Sequence, residues 1–505
     1  MARRSTLPMW NVLALNRAAP ATLQDQLVAF FRDAVLAGAL KPGARVPSSR
    51  LLAAEQGIAR ITAVEAYDRL MAEGYLVSRR GVGLFVAASL RHARVDGPRR
   101  PTRRQRGGSL ADDRRRVGGS PASARDRHDA GTILPLATGL PALDEFPWHD
   151  WTRISGRVHR ERSTAALAYG DPQGLAELRT AIAEYLGAAR GIVCDADQVV
   201  IVSGAQQGID LTARSVAAPA DRVWVEEPGY ATAREALAAA RLDVVAVPAD
   251  AAGIDVAAGV RLAPTARLAV VTPSYHYPLG GTLSLPRRID LLAWAHRSAG
   301  WILEDDYYGE YRFAGRPLAP LHTLDRHARV LYLGTFSKIL APGLRLGYLV
   351  VPPHLVGRVT DLKRVTDRYA PGLTQLVLAR FIAEGRLAAH VRRMRALYRE
   401  RRSALLAALA RYGADVLDVG EPPDAGLHLA ARLRVDVDDD VVSRRVRSRG
   451  VQATALSTYY ARAPRARGFV LGFANTAEPA IGPAVHTLAA TIRLCVLEDA
   501  ERRRR

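Results

Sequence analysis

Cysteine is nearly absent, with Cys194 and Cys495 the two thiols in 505 residues. Two thiols cannot build a disulfide framework or a metal-ligand cluster, and a reducing cytoplasm suits such a chain best. Long apolar runs are missing too. No uninterrupted stretch reaches the roughly 20 residues that a membrane span needs. The first residues, Met1 to Trp10, are basic but lack an apolar core ending at a small-residue cleavage site, so no signal peptide is expected. Negative charge is scarce, since 71 Lys and Arg against 50 Asp and Glu leave a formal net charge of +21. That balance favours a polyanionic partner, nucleic acid or an acidic surface. The length predicts roughly three domains or subdomains.

Residues 22–88 read as a compact unit. Leu23, Leu27, Phe30, Ala34 and Val35 recur at helical spacing and form one apolar stripe. Gly38 and Lys41-Pro42-Gly43 stop that helix. Ser48 or Ser49 can cap a second helix that runs through Arg50-Leu51-Leu52-Ala53-Ala54 to Gly57. A third begins near Ala59, runs to about Glu73 and is closed by Gly74. Two short strand-like runs, Tyr75–Ser78 and Leu84–Val86, follow, joined by Arg79-Arg80-Gly81-Val82-Gly83. On a helical wheel Ala63, Ala66, Tyr67 and Leu70 of the third helix face one way, leaving Arg60, Ile61 and Thr62 at its N-terminal turn.

Three helices and a glycine-turned hairpin make a winged helix-turn-helix pattern. Pro47-Ser48-Ser49-Arg50, Arg60 with Thr62, Ala66-Tyr67 with Leu70, and Glu73-Gly74-Tyr75-Leu76 with Gly81-x-Gly83 resemble the GntR-type DNA-binding domain. The resemblance implies that the first turn of the third helix enters the major groove. Arg60 is then the candidate guanine reader, and Arg50, Thr62 and the amides of Gly81 and Gly83 are candidate phosphate contacts. Ile61 departs from the family, where a polar residue is usual. It is compatible with a contact to a thymine methyl group or with a weakened or altered operator preference.

Residues Arg91 to Ala130 hold twelve arginines against five aspartates, with repeated Gly, Pro and Ser and almost no aliphatic side chains. Such a segment buries too little apolar surface to fold, so residues 89–130 are expected to be a flexible linker. It either adds salt-dependent affinity for DNA backbone or is a solvated tether.

Beyond the linker, strand-like and helical runs alternate, as in an α/β fold with a largely parallel sheet. Val199–Val202 runs into Ser203, Leu268–Val271 into Thr272, and Trp301–Leu303 into Glu304-Asp305. Ligands gather at the carboxyl ends of strands in such sheets, so these residues should converge. Val330-Leu331-Tyr332-Leu333 reads as a buried strand that delivers Lys338. A lysine held there can form a Schiff base with an aldehyde if a dry or cationic setting keeps it partly deprotonated. Arg345 could supply that cation and bind a phosphate. Ser203-Gly204-Ala205-Gln206-Gln207-Gly208 follows a strand and opens a helix, a setting that suits phosphate.

Ser337-Lys338 followed by Pro342-Gly343-Leu344-Arg345-x-Gly347 resembles the lysine segment of fold-type I, pyridoxal-phosphate-dependent aminotransferases. That resemblance implies pyridoxal 5′-phosphate (PLP) held as a Schiff base by Lys338, with Ser337 and Arg345 near its phosphate and the amides of Ala205 and Gln206 donating to it. Asp305 matches the carboxylate that pairs with the pyridine nitrogen and keeps it protonated, with Asp306 the alternative. Tyr307 matches a tyrosine near the phenolic oxygen, and Tyr230, in Glu226-Glu227-Pro228-Gly229-Tyr230, the aromatic stacked on the ring. Tyr169, in Tyr169-Gly170-Asp171-Pro172-Gln173-Gly174, resembles the tyrosine that reaches a neighbouring subunit's phosphate, which implies a dimer.

The two halves in this order resemble the MocR/GabR subfamily of GntR regulators. The expected layout is an extension (1–21), a winged helix (22–88), the linker, a PLP-binding domain (131–498) and a basic tail (499–505). The large part of the PLP-binding domain falls at about 165–365, and the rest forms a smaller α+β subdomain. Two departures stand out. His276-Tyr277-Pro278-Leu279-Gly280 replaces Asn-Pro-x-Gly, leaving Tyr277 where an asparagine bonds the phenolic oxygen. Val470 stands where amino-acid-processing relatives carry an arginine for the substrate carboxylate, with Arg462, Arg465 and Arg467 nearby as substitutes. The expected function is a DNA-binding regulator that senses PLP, or an amine or amino acid reacting with it. The rival expectation is an active aminotransferase with an accessory DNA-binding module. No metal site is expected.

Overall fold

A computed structural model of the chain describes residues 13, 15–17, 19, 21–79, 82–92, 133–161, 164–313, 318–462 and 466–504. Gly81, Arg465 and almost all of the expected linker lie outside them. The described chain divides into two compact units, an N-terminal one that also takes in Ser284–Ala293 and a C-terminal one made of the rest.

The N-terminal unit holds α1 (Leu23–Leu36), α2 (Ser49–Gln56), α3 (Arg60–Ala72) and a hairpin of β1 (Leu76–Arg79) and β2 (Gly83–Val86). Thr22 caps α1 by accepting from Asp25 N–H, and Ser48 rather than Ser49 caps α2 by accepting from Leu51 N–H at 3.2 Å. Gly57 ends α2 with φ of 60°, and Gly74 follows α3 with φ of 81°, a left-handed turn that favours glycine. The buried face of α3 is Ala63, Ala66, Tyr67 and Leu70, as its periodicity predicts. On α1 the core side is rotated from the expected stripe. Phe30 is only half-buried, while Val28 and Phe31 are buried with Leu27, Ala34 and Val35. Phe31 is pulled in by an edge-to-face contact with Tyr67 at 5.4 Å.

The C-terminal unit is built on an eight-stranded sheet. Its strands are β3 (Val199–Val202), β4 (Arg222–Glu227), β5 (Asp243–Asp250), β6 (Gly253–Ile254), β7 (Leu268–Val271), β8 (Trp301–Asp306), β9 (Val330–Thr335) and β10 (Gly347–Val350). The order is β3-β10-β9-β8-β7-β4-β5-β6. Pairing is parallel from β9 through β5, while β10 runs against both β9 and β3. Strands β3, β4, β7, β8 and β9 therefore end at one edge of the sheet, and the reversed β10 starts there. The strands are buried on both faces, which is why they read as unbroken apolar runs.

A second, antiparallel sheet follows, made of β11 (Leu417–Asp418), β12 (His428–Leu433), β13 (Thr454–Ala455) and β14 (Gly468–Gly472) in the order β11-β12-β14-β13. The segment at 133–142 docks on it, with Gly472 N–H donating to Leu136 O and Gln452 N–H to Pro135 O, both at 2.9 Å. The long helices Arg386–Tyr412 and Glu478–Arg504 pack together beside this sheet. Residues 478–502 are long and apolar enough to cross a membrane by length and composition. His486 and Arg493 interrupt the run, which is why no continuous stretch stands out in the sequence. Ile481, Val485, Leu488 and Ile492 are buried in the core of this unit.

The Tyr169–Gly174 motif has a local structural role. Gln173 donates its amide to Asp197 O and Val199 O, and its carbonyl accepts from Ile201 N–H, which ties the loop to β3. Gly174 has φ of 104°, and a Cβ on it would lie 2.2 Å from Cγ1 of buried Ile201. Gly174→Ala should therefore destabilise the chain by roughly 1–3 kcal/mol, through backbone strain plus overpacking. A lowered denaturant midpoint measures it, and an unchanged midpoint would contradict the packing described.

Candidate functional site

The edge where the strands end encloses a cavity of about 310 Å³. Its lining includes Ala205, Gln206, Tyr230, Tyr277, Asp305, Tyr307, Ser337, Lys338 and Arg345, nine of the ten residues expected around a cofactor. Tyr169, the tenth, is 82% exposed, with its ring edge against Tyr369 and the Arg368 guanidinium 5.2 Å from its centre.

Each side chain is delivered by a different element. Strand β9 is buried throughout, and three residues past it the Lys338 amine donates to Gly139 O. Helix Ala205–Val216 starts just beyond β3, so its first N–H groups open into the cavity and favour an anion. Gly204, before that helix, has φ of 119°, and the Arg345 guanidinium lies 3.3 Å from where a Cβ would stand. The reversal of β10 brings Arg345 back to this edge. Tyr230 opens helix Ala231–Ala239 and meets Tyr277 edge-on at 5.8 Å. Tyr277 shares a 2.9 Å hydrogen bond with the Tyr459 hydroxyl, and Tyr307 donates to Tyr275 O at 2.9 Å.

Adjacent residues on a strand face opposite ways, and this separates the two aspartates of β8. Asp306 pairs with the buried Arg190 and accepts from Tyr332 at 2.8 Å. Asp305 faces the cavity, and its buried Oδ1 has no hydrogen-bond partner among the described residues. Asp306 is thus committed elsewhere, which favours Asp305 as the carboxylate offered to a ligand. Burial, then the neighbouring Asp306, push the Asp305 carboxyl up to about 7 against the opposing pull of Lys338. Glu226, at the end of β4, accepts from Thr272 N–H at 3.0 Å and from its hydroxyl. Burial pushes Glu226 up to about 8, with the Thr272 hydrogen bonds opposing and Asp305 adding a smaller push. His276 is buried and pushed down to about 4 by that burial, so it is neutral at pH 7.

Several contributors were not singled out in the sequence. Thr138 and Gly139 come from the segment just past the expected linker, and their signal was only the turn-like Gly139-Leu140-Pro141. Thr232, Tyr308 and Thr335 also line the cavity, beside Pro342 of the lysine motif. Glu226 was visible as an acid closing an apolar run. Val470 is buried within β14, in a small cluster with Leu456 and Tyr459. Of the arginines considered in its place, Arg467 pairs with Asp436 at 3.7 Å and Arg462 is exposed; neither lines the cavity.

In the N-terminal unit, Arg50 and Arg60 are exposed near the starts of α2 and α3, Ile61 is 61% exposed, and Thr62 is half-buried. Gly83 opens β2 with φ of 125°, and a Cβ there would meet the Arg45 guanidinium at 3.2 Å. Arg45, which bridges to Phe85, and Arg79, stacked on the Phe85 ring at 4.7 Å, add cations to this hairpin. Both were unmarked in the sequence beyond being basic and near a turn.

Residues 132–470 match the family described as aminotransferase class I and II, and residues 23–86 match bacterial regulatory proteins of the gntR family. The probable rhizopine catabolism regulatory protein MocR of Rhizobium meliloti is 38% identical over 92% of each chain. The chain belongs to the MocR-type GntR regulators. Another such regulator, the HTH-type pyridoxine biosynthesis transcriptional regulator PdxR of Corynebacterium glutamicum, is 32% identical over 92% of this chain and 95% of its own. The crystal structure of Pyrococcus horikoshii kynurenine aminotransferase in complex with PMP is similar to the C-terminal part. It has a TM-score of 0.67 and 30% identity, covering 72% of this MocR-type chain and 91% of that one.

Asp305 and Glu226 titrate higher in the folded chain than their ordinary values of 3.8 and 4.5. The folded state then holds the extra protons, so the contribution of these two groups to stability is greatest at low pH and falls as pH rises. The window runs from about 4 to about 7 for Asp305 and to about 8 for Glu226. In cofactor-free protein, Asp305→Asn and Glu226→Gln should each shrink the loss of denaturant midpoint between pH 5 and pH 8. An unaltered slope in both variants would contradict these assignments.

Proposed function

We propose that this chain is a cytoplasmic transcriptional regulator that reads DNA with α3 and the β1–β2 wing. In the cavity around Lys338 it binds PLP, and it senses PLP itself or an amine or amino acid reacting with it. The observation that carries this reading is the convergence of Lys338, Asp305 and a helix N-terminus from separate strand ends on one cavity, in a chain that also carries a winged helix. The relative named for pyridoxine biosynthesis and the solved aminotransferase holding PMP support it.

The residues present fit the cofactor. Asp305 is a buried carboxyl lacking a partner for Oδ1, and a protonated ring nitrogen would give it one. Ala205 and Gln206 offer helix-start amides, and Ser337 and Arg345 a hydroxyl and a guanidinium, for the phosphate. Tyr230 would lie on the ring face and Tyr307 near its phenolic oxygen, as the resemblance implies, and Tyr277 presents a phenol where aminotransferases carry an asparagine. When bound, PLP supplies an aldehyde for the Lys338 amine and an electron-withdrawing ring. Around it, Tyr230, Tyr277, Tyr307 and Tyr308 would exclude water, and Asp305 would set its charge against the ring.

On the DNA side, Arg60 reads a guanine, Ile61 either touches a thymine methyl group or weakens or alters operator preference, and Arg50, Thr62, Gly81 and Gly83 hold phosphates. A homodimer would give the exposed Tyr169 a place beside a partner's phosphate site, as the resemblance implies. The effector acts by preferring one arrangement of the dimer, which changes DNA affinity by a matching factor.

Retention of both Lys338 and Asp305 in the cavity favours a second reading, an active aminotransferase with an accessory DNA-binding unit. Sustained turnover with a keto-acid acceptor would select it; a single amine-driven spectral change without turnover selects the sensor.

Borohydride should trap a vitamin B6 derivative on Lys338, and Lys338→Ala should lose both the adduct and the visible absorbance; absence of any adduct on the native chain refutes the cofactor reading. Arg60→Ala should lose operator selection in footprinting, by tenfold or more, and keep the cofactor spectrum. Unchanged footprints would remove Arg60 from the reading helix.

A further inference from the structure

We infer, resting on the reading of the cavity as a PLP site, that His428 of β12 is a positioning residue for that site. It holds the loop at 275–278, and through that loop Tyr277, at the cavity. His428 itself does not line the cavity. Its ring is fully buried and lies edge-on to Tyr275 at 5.2 Å and to Tyr277 at 5.3 Å, with Tyr308 tilted against it at 5.7 Å. Tyr277 and Tyr308 are both lining residues. Two hydrogen bonds fix the loop to the strand. The Pro278 carbonyl can only accept, so His428 Nε2 carries the proton and donates to it at 3.0 Å. The Tyr275 hydroxyl donates back to His428 O at 2.6 Å.

The choice of residue follows from what the loop offers. The turn at 276–281 closes on itself, with His276 N–H donating to Gly281 O and Gly280 N–H to His276 O. Pro278 has no N–H of its own, so its carbonyl is the handle by which another element can grip the turn. That element is β12, a strand held between β11 and β14 and 150 positions further along the chain. Burial pushes the His428 ring down to about 4, the Pro278 carbonyl opposing and the Lys338 charge adding a smaller push. The ring is therefore neutral at pH 7 and carries a single N–H. That N–H goes to Pro278 O, and Nδ1 has no hydrogen-bond partner among the described residues, so the ring grips the turn through Nε2. Tyr307 joins the same unit, its hydroxyl donating to Tyr275 O at 2.9 Å. Tyr277, Tyr307 and Tyr308 thus share contacts with His428 or with the Tyr275 bonded to it. Without that hold the turn, and Tyr277 with it, would be free to shift at the cavity.

The test titrates the full-length protein with PLP and follows visible absorbance. His428→Phe keeps a flat ring among the tyrosines and removes the N–H, while His428→Gln sets an amide N–H where Nε2 stands. His428→Phe is expected to weaken PLP binding by about tenfold, the cost of leaving a buried carbonyl without its donor, and to shift the visible maximum of the bound cofactor. His428→Gln is expected to recover the native maximum and an affinity within about threefold of the native one. Native affinity and maximum in His428→Phe would overturn the inference. Equal losses in both variants would overturn it too, because packing rather than the N–H would then hold the loop. Where His428→Phe shows no cooperative unfolding, Tyr275→Phe takes its place, since it lies outside the cavity lining and removes the bond to His428 O. It is expected to weaken PLP binding by about threefold or more with a shifted maximum, and native behaviour would again refute the inference. If the native chain forms no spectrum with PLP, the cofactor reading itself fails, a result distinct from a variant that behaves as native, and this inference falls with it.

Discussion

Two neighbouring carboxylates on one buried strand cannot both be satisfied by the same partner, and the cavity depends on how β8 separates them. The pleat turns Asp306 toward Arg190, where Gly309 leaves room for both side chains; a Cβ there would fall 2.4 Å from each. Asp305 is left facing the cavity with an acceptor unused. An unpaired buried charge is expensive, so the fold holds a site in a state that a cationic ring nitrogen would relieve. The raised carboxyls of Asp305 and Glu226 express that cost while the site waits.

The antiparallel strand β10 is the second requirement. In an all-parallel sheet, the residue preceding β10 would emerge at the far edge, remote from the helix start at Ala205. Running β10 against its neighbours brings Arg345 beside Gly204, where helix Ala205–Val216 begins. One reversed strand thus places a cation that no local motif could have placed.

Much of this was legible in the sequence because it is local or periodic. The caps at Ser48 and Gly57, the α3 face of Ala63, Ala66, Tyr67 and Leu70, and the acids and hydroxyls closing apolar runs all follow from rules of short range. What was hidden depends on tertiary contact. Phe31 rather than Phe30 enters the core because Tyr67 is there to receive it. Gly139 reaches Lys338 from about 200 positions away in the chain, and Arg45 and Arg79 gain their setting only when Phe85 closes the hairpin. Asp305 and Asp306 were distinguishable by resemblance, but the physical reason, Arg190, lies on a helix more than a hundred residues earlier.

The hydrogen bond from Lys338 to Gly139 O reaches beyond the cavity. Gly139 belongs to the segment moored to the small sheet through Pro135 and Leu136, and upstream of that mooring the polypeptide leads back to the winged helix. A lysine whose nitrogen is chemically capped has fewer hydrogens to give, so the Gly139 carbonyl must find another donor or shift. In the proposed PLP-bound state, the first change outside the cavity would thus fall at the Gly139 carbonyl, on the segment docked to the small sheet.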